Sequence, residues 1–106
     1  MSYRFMRTLV FFDLPVETIE DQRNYRKFRK ILLQSGFIML QKSVYSRMLT
    51  NPSAGHSVLE AIRKNKPPVG LVQVLTVTEK QFSRMEYITG EFSSDIVDGY
   101  ESLVIL

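Results

Sequence analysis

Four short apolar segments alternate with two helical patterns in this chain, and their order restricts the fold more than any other feature. The first segment, residues 5–13 (FMRTLVFFD), is rich in Phe, Val and Leu. Residues 37–41 and 44–48 form a closely spaced second and third segment, and residues 69–77 (VGLVQVLTV) form the fourth. Short runs of apolar, β-branched and aromatic residues are typical of strands. The chain is therefore predicted to contain four strands.

The segments between these strands carry helix signals at their ends. Thr18 is a predicted N-cap with Asp21 three residues later, and Gly36 is predicted to end this first helix. Asn51 and Pro52 open a second predicted helix, because proline is tolerated at the first helical position. The resulting order, βαββαβ, is that of a ferredoxin-like α+β sandwich.

The length of the chain corresponds to one domain, predicted to span residues 1–106. Its βαββαβ core is predicted at residues 1–78, and residues 79–106 form a C-terminal extension. In the extension we expect a short helix, a turn at Gly90, a turn at residues 98–99 and an additional terminal strand, residues 101–106 (ESLVIL).

The predicted strands are apolar on both faces. A sheet covered by helices on one side should alternate apolar and polar residues, yet residues 9–12 (LVFF) and 37–40 (FIML) are apolar throughout. The bare face would be a large apolar patch. A two-fold homodimer with the two sheets facing each other would cover it. The alternative is that residues 79–106 fold back over this face; we favour the dimer, since that segment is largely polar before Ser102.

Composition excludes several classes of site. Cysteine is absent and His56 is the single histidine, which rules out disulfides, thiolate zinc sites and a multi-histidine cluster within one chain. His56 is predicted to be a surface residue, and Phe37 and Tyr45 are predicted to pack in the core rather than stack on bases. No apolar run reaches the length of a signal-peptide core or a membrane span. We therefore expect a cytoplasmic protein with no membrane partner.

Positive charge is concentrated in the first two thirds of the chain. Residues 1–66 hold twelve Lys and Arg against five Asp and Glu, whereas residues 67–106 hold two against six. At 100° per residue, one face of the first helix is apolar and the opposite face carries Arg23, Arg26, Lys27 and Lys30. Such a stripe suits a phosphate backbone, but a solvated face whose C-terminal half responds to the helix dipole explains it equally well. Further cations favour polyanion binding: Arg7, Arg63, Lys64 and Lys66.

Asp13 is the candidate for chemistry. It stands at the end of an apolar strand, where loops converge on a rigid base, and a carboxylate is the hard oxygen ligand that Mg²⁺ requires. One aspartate makes a poor metal site, whereas two copies brought together by a dimer axis would make a better one. The alternative, favoured by the residues alone, is a turn residue that accepts backbone hydrogen bonds before Pro15.

Four segments, in order and spacing, resemble one known family. They are LVFFDLP (9–15), YRKFRKILLQSGF (25–37), LQKSVYSR (40–47) and LTVTEKQF (75–82). Together they resemble the CRISPR-associated Cas-two (Cas2) family, especially members from type II systems. The resemblance runs from about Met6 to Phe82.

The resemblance implies a dimer of ferredoxin-like domains in which the terminal strand crosses to the partner. It also implies a role in spacer acquisition, in which the dimer bridges two dimers of the Cas-one integrase and holds a short DNA duplex. Many family members are described as metal-dependent endonucleases on RNA or DNA. Asp13 matches their metal-binding aspartate, which implies one Mg²⁺ per dimer. The family often has Tyr before this aspartate, whereas this chain has Phe12, and Glu17 is the only other nearby carboxylate.

Three functional hypotheses follow from the residues and the resemblance. The first is a scaffold that binds duplex DNA and leaves the chemistry to the integrase. The second is a Mg²⁺-dependent endonuclease with paired Asp13 carboxylates, acting on DNA or on single-stranded RNA. The third is a metal-dependent ribonuclease of toxin type on the same fold, unrelated to spacer integration.

Overall fold

A four-stranded antiparallel sheet with two helices on one face forms the structure, a computed structural model that describes residues 5–91. The elements are β1 (Met6–Asp13), α1 (Ile19–Gln34), β2 (Ile38–Gln41), β3 (Val44–Leu49), α2 (Pro52–Lys64), β4 (Leu71–Thr78) and α3 (Glu79–Phe82). The strand order is β2-β3-β1-β4, so β1 is a central strand and β4 lies at an edge. The predicted ferredoxin-like βαββαβ order is confirmed.

The predicted helix caps are present. The Thr18 hydroxyl accepts a hydrogen bond from the Asp21 amide at 2.9 Å, and the Asp21 carboxylate accepts one from the Thr18 amide at 3.1 Å. The Asn51 side chain accepts from the Ala54 amide at 2.8 Å at the start of α2. These bonds satisfy amides that the first helical turn leaves without partners. Gly36, with a φ of 90°, follows the end of α1 as predicted.

The largest difference between the predicted and observed strand boundaries is at the fourth strand. The sequence predicts a start at residue 69, but β4 begins at Leu71, whereas the other strand ends agree to within one residue. The cause is Gly70, whose φ of 100° interrupts the extended backbone.

The core lies between the helices and one face of the sheet. The ring of Phe12 is 5.4 Å from that of Phe28 on α1 and 5.6 Å from that of Tyr45 on β3, measured between centroids. Phe37 and Tyr45 are both buried, which confirms that they pack in the core. Aromatic burial of this kind is a major contribution to the stability of a small domain.

The opposite face of the sheet, called the open face below, carries the odd-numbered residues of β1 and β4. The segment after α3 crosses part of it: Met85 and Tyr87 line a cleft of about 400 Å³ together with Leu9 and Phe11. The chain thus folds back over part of this face, the alternative that we favoured less. Coverage is incomplete, because Leu75 on β4 is 53% exposed. The dimer stays a prediction.

The predicted turn at residues 98–99 and the terminal strand at residues 101–106 lie outside the described residues. The extent of the domain to residue 106 likewise stays a prediction. Among residues 5–91, none of the helices has the length and apolar character needed to cross a membrane.

Candidate functional site

Asp13 ends the central strand β1 at the open face. It is paired in register with Leu71 of β4, and its side chain is exposed. None of the ion pairs between described residues involves it. The loop before β4 approaches closely here: a Cβ on Gly70 would lie 2.9 Å from the Asp13 carbonyl oxygen and 2.6 Å from a methyl carbon of Leu14. A rigid strand end thus presents a free carboxylate.

The described residues supply only part of a metal site. Within residues 5–91 no three His, Asp or Glu side chains lie close enough together to hold one ion. Mg²⁺ is commonly held by one or two carboxylates and several waters. An exposed Asp13 on the open face supplies one such carboxylate, and the predicted dimer would supply a second from the other copy of the chain.

Phe12 occupies the position where the family often has Tyr. Its ring points to the core, 5.8 Å from the ring of Tyr25, and therefore away from the open face that carries Asp13. In this structure a hydroxyl at position 12 would be directed among core rings rather than toward the carboxylate.

The predicted cationic stripe lies on the outer side of α1. All four of its residues are exposed, whereas Phe28 and Leu32 on the inner side are buried. Arg23 bonds Glu20 at 2.9 Å, an exposed pair that contributes little to stability. The stripe residues are Arg23, Arg26, Lys27 and Lys30. Their common orientation is the one that the helical period predicts.

Arg29, on the flank of α1, lies near a buried tyrosine. The Tyr45 hydroxyl is fully buried and has no hydrogen-bond partner among the described residues. Burial raises the pKa of Tyr45 above its usual 10.0, while the nearby Arg29 acts in the opposite direction. The charge near Tyr45 therefore compensates only part of the cost of burying the hydroxyl.

Arg7 does not lie with the stripe. It points to the open face, where its guanidinium donates to both carboxylate oxygens of Glu79 at 2.9 and 2.8 Å and to Ser46 at 3.1 Å. It also lies 4.2 Å from the ring centroid of Phe82. These hydrogen bonds hold the pKa of Glu79 below its usual 4.5. Arg7 is thus engaged within the chain, and its role in nucleic-acid binding stays a prediction.

Sequence reasoning missed this Arg7 cluster. Glu79 lies 72 residues from Arg7, and no periodic pattern links positions so far apart. The one local signal is the Thr78-x-x-Gln81 capping box, which predicts that a helix starts at this point but not what it contacts.

His56 is exposed, as predicted. It lines an apolar cleft of about 420 Å³ beside β4, with Leu59 and Val74 among its neighbours. The lining residues include no carboxylate or second histidine that would orient His56 or share a metal ion with it.

The fold and this site define a small α+β protein with a free carboxylate at the end of a central strand and a cationic outer helix face. The family described as CRISPR associated protein Cas2 matches residues 6–85. The chain belongs to this family.

Two curated relatives show how similar other members are. The chain is 55% identical to a CRISPR-associated endoribonuclease Cas2 of Treponema denticola over 101 residues, covering 95% of this chain and 100% of the relative. It is 48% identical to that of Streptococcus mutans, covering 95% and 93%. The type II assignment stays a prediction.

Solved structures support the fold alone. Streptococcus pyogenes Cas2, crystallised at pH 6.5, superposes with a TM-score of 0.60 at 17% identity, covering 78% of this chain and 99% of that one. A second Cas2 crystal structure gives a TM-score of 0.59 at 15% identity, covering 95% and 99%.

Proposed function

We propose that this chain is the nucleic-acid-binding subunit of a CRISPR spacer-acquisition complex in the cytoplasm. In this role a homodimer bridges two Cas-one integrase dimers and holds duplex DNA. The observation that carries the proposal is the exposed cationic face of α1. Membership of the Cas2 family supports the CRISPR setting and favours it over a toxin-type ribonuclease.

The spacing of the stripe suits a phosphate backbone. Arg26 and Lys30 are one helical turn apart, which is about 6 Å along α1. Successive phosphates of one strand follow a helical path with about 3.4 Å of rise along the duplex axis. Two long side chains one turn apart on a protein helix can reach separate phosphates on this path. Neither residue forms an ion pair with the described residues. Each is therefore free to neutralise one phosphate, and such contacts are largely blind to base sequence.

Replacing both residues tests DNA binding. Arg26→Ala with Lys30→Ala should weaken duplex binding and reduce the slope of log affinity against log salt by about 1.8, since each lost phosphate contact removes about 0.9. Fluorescence anisotropy with a labelled duplex at several salt concentrations measures both. Lys42→Ala with Lys80→Ala removes two exposed charges elsewhere and is the matched control. Unaltered binding by the stripe variant would contradict the proposal.

A Mg²⁺-dependent endonuclease is the second candidate function, favoured by the exposed Asp13 and by the endoribonuclease names of the relatives. In a dimer whose open faces lie against each other, Asp13 of each copy would hold one shared ion. When bound, this ion would polarise a phosphodiester and activate water. The chain's own part is to hold the Asp13 carboxylate at a rigid strand end.

A cleavage assay separates the two functions. Labelled single-stranded RNA and duplex DNA are incubated with wild type or Asp13→Asn, with Mg²⁺ or with EDTA. The nuclease proposal expects cleavage that needs both Mg²⁺ and Asp13, with duplex binding unchanged by Asp13→Asn. Glu17→Gln, which removes an exposed nearby carboxylate, should retain cleavage. Full activity of Asp13→Asn would point to a contaminating nuclease and remove the second candidate.

A further inference from the structure

A small cleft between α1 and the end of α2 collects lysines from separate parts of the chain. Its volume is about 130 Å³. We call it the lysine notch. It is lined by Asn24, Lys27 and Phe28 of α1 and by Lys64, Asn65, Lys66, Pro67 and Pro68.

No carboxylate lines the lysine notch. The carboxylates nearest in sequence already have partners: Glu60 bonds Arg63 at 2.8 Å and Glu20 bonds Arg23 at 2.9 Å. Asp21 bonds the Thr18 amide and lines an adjoining cleft. Three lysines, Lys27, Lys64 and Lys66, therefore line one cleft that contains no carboxylate.

The helix dipole does not account for this arrangement. A lysine in the last turn of α2, Lys64, interacts favourably with the partial negative charge there. Lys66, however, lies beyond the end of α2, and Lys27 lies in the middle of a different helix. Three positive charges also exceed the roughly half charge of one helix end. The excess positive charge is available to an anion.

The loop that supplies Lys66 is held in place on both sides. The Asn65 amide group donates to the Ala61 carbonyl at 2.8 Å, and the Asn65 backbone amide donates to the Ala61 and Ile62 carbonyls. Pro67 and Pro68 then restrict the backbone. Lys66 thus extends from a constrained segment, which lowers the entropy lost when it binds a ligand.

We propose that the lysine notch holds one backbone phosphate of the bound nucleic acid, by ammonium groups of Lys27, Lys64 and Lys66. This inference rests on the proposed function and extends it from α1 to α2. Lys27 belongs both to the stripe and to the notch, so a strand that follows the stripe reaches the notch without a gap.

The test is a salt titration of duplex binding by Lys64→Gln with Lys66→Gln. Loss of one phosphate contact should reduce the slope of log affinity against log salt by about 0.9 and weaken binding equally for unrelated sequences. Lys42→Gln with Lys80→Gln is the charge-matched control, because it removes two exposed lysines that do not line the notch. Its salt slope should change less than that of the notch variant. Thermal unfolding verifies that both variants are folded. A notch variant with the wild-type slope overturns the inference and leaves the proposed function standing.

A second measurement does not depend on duplex binding. In a titration with inorganic pyrophosphate, followed by ¹H–¹⁵N correlation spectra, the amides of Asn24, Asn65 and Lys66 should shift in wild type and not in the notch variant. If these amides do not shift in wild type, the proposal that the lysine notch binds phosphate is wrong. Failure of wild type to bind duplex overturns the proposed function, and with it the assignment of the notch to a backbone phosphate.

Discussion

Gly70 allows the loop before β4 to reach the end of β1. It has a φ of 100°, and an added Cβ would lie 2.6 Å from Leu14 and 2.9 Å from the Asp13 carbonyl oxygen. Gly90 has a similar φ of 84°, but a Cβ there would meet nothing within 4 Å. Substitutions at these two glycines therefore distinguish two contributions to the loss of stability: the positive φ, which both positions share, and the steric clash, which only Gly70 would have.

Gly70→Ala should therefore lower the unfolding free energy by about 2–3 kcal/mol, through both effects. Gly90→Ala carries only the conformational penalty and should lower it by about 1 kcal/mol. Urea unfolding measures both. Equal losses in the two variants would mean that the approach to Asp13 is not tight.

Tyr45→Phe should leave stability unchanged or raise it by about 1 kcal/mol, because the buried hydroxyl lacks a hydrogen-bond partner among the described residues. Tyr25→Phe is the control. It removes a hydroxyl that donates to the Lys42 carbonyl at 3.3 Å, so a small loss is expected. A loss above about 1 kcal/mol in Tyr45→Phe would show that Arg29 satisfies the hydroxyl in solution.

At the scale of elements, signals within a few residues of each other in sequence predicted the helix starts and the orientation of the helix faces. Thr18 with Asp21, and Asn51 with Pro52, located both helix starts, because a cap bonds residues only three positions away. The helical period likewise oriented the stripe on α1. Two features could not be predicted: the docking of α3 through Arg7 and Glu79, and the lining of one cleft by both Lys27 and Lys66. Each involves residues far apart in the chain, and only the packed fold brings them together.

Glu79→Gln tests the docking of α3. Hydrogen bonds from Arg7 lower the pKa of Glu79, so the ionised carboxylate stabilises the folded state. This contribution is complete above pH 4.5 and is lost as the pH falls from 4.5 through the lowered pKa. The variant should be less stable than wild type by roughly 1 kcal/mol at pH 7. The difference should narrow as the pH is lowered from 4.5, as measured by urea unfolding at neutral and at acidic pH. Glu20→Gln, in an exposed pair, should change little at either pH; a constant deficit in Glu79→Gln would exclude ionic docking.

At the scale of the whole molecule, the open face is the surface through which we expect two copies to associate. Residues 79–91 cover the side that carries Leu9, which is buried, but leave Leu71 and Leu75 on β4 about half exposed. A second copy could cover this remaining apolar area. A two-fold axis near the end of β1 would also bring the two Asp13 side chains together, as the shared metal site requires.

Leu75→Arg should convert the predicted dimer to a monomer, since it places a charge in the apolar area of the open face. Sedimentation equilibrium should give twice the chain mass of 12.3 kDa for wild type and one chain mass for the variant. Leu33→Arg changes a leucine that is 41% exposed on α1, away from the sheet, and should remain dimeric. A wild-type monomer, or a dimeric Leu75→Arg, would remove the open face as the interface.

The central position of β1 has a consequence for hydrogen exchange and for ligand affinity. β1 is bonded to β3 on one side and to β4 on the other, so its amides can exchange only when the sheet opens. Asp13 at its end is paired with Leu71, and its main chain is therefore already ordered before any ion arrives. Binding then has only the side-chain torsions of the carboxylate left to restrict. The affinity for an ion at this position would therefore depend on the free energy needed to remove water from the ion, and not on the flexibility of the main chain.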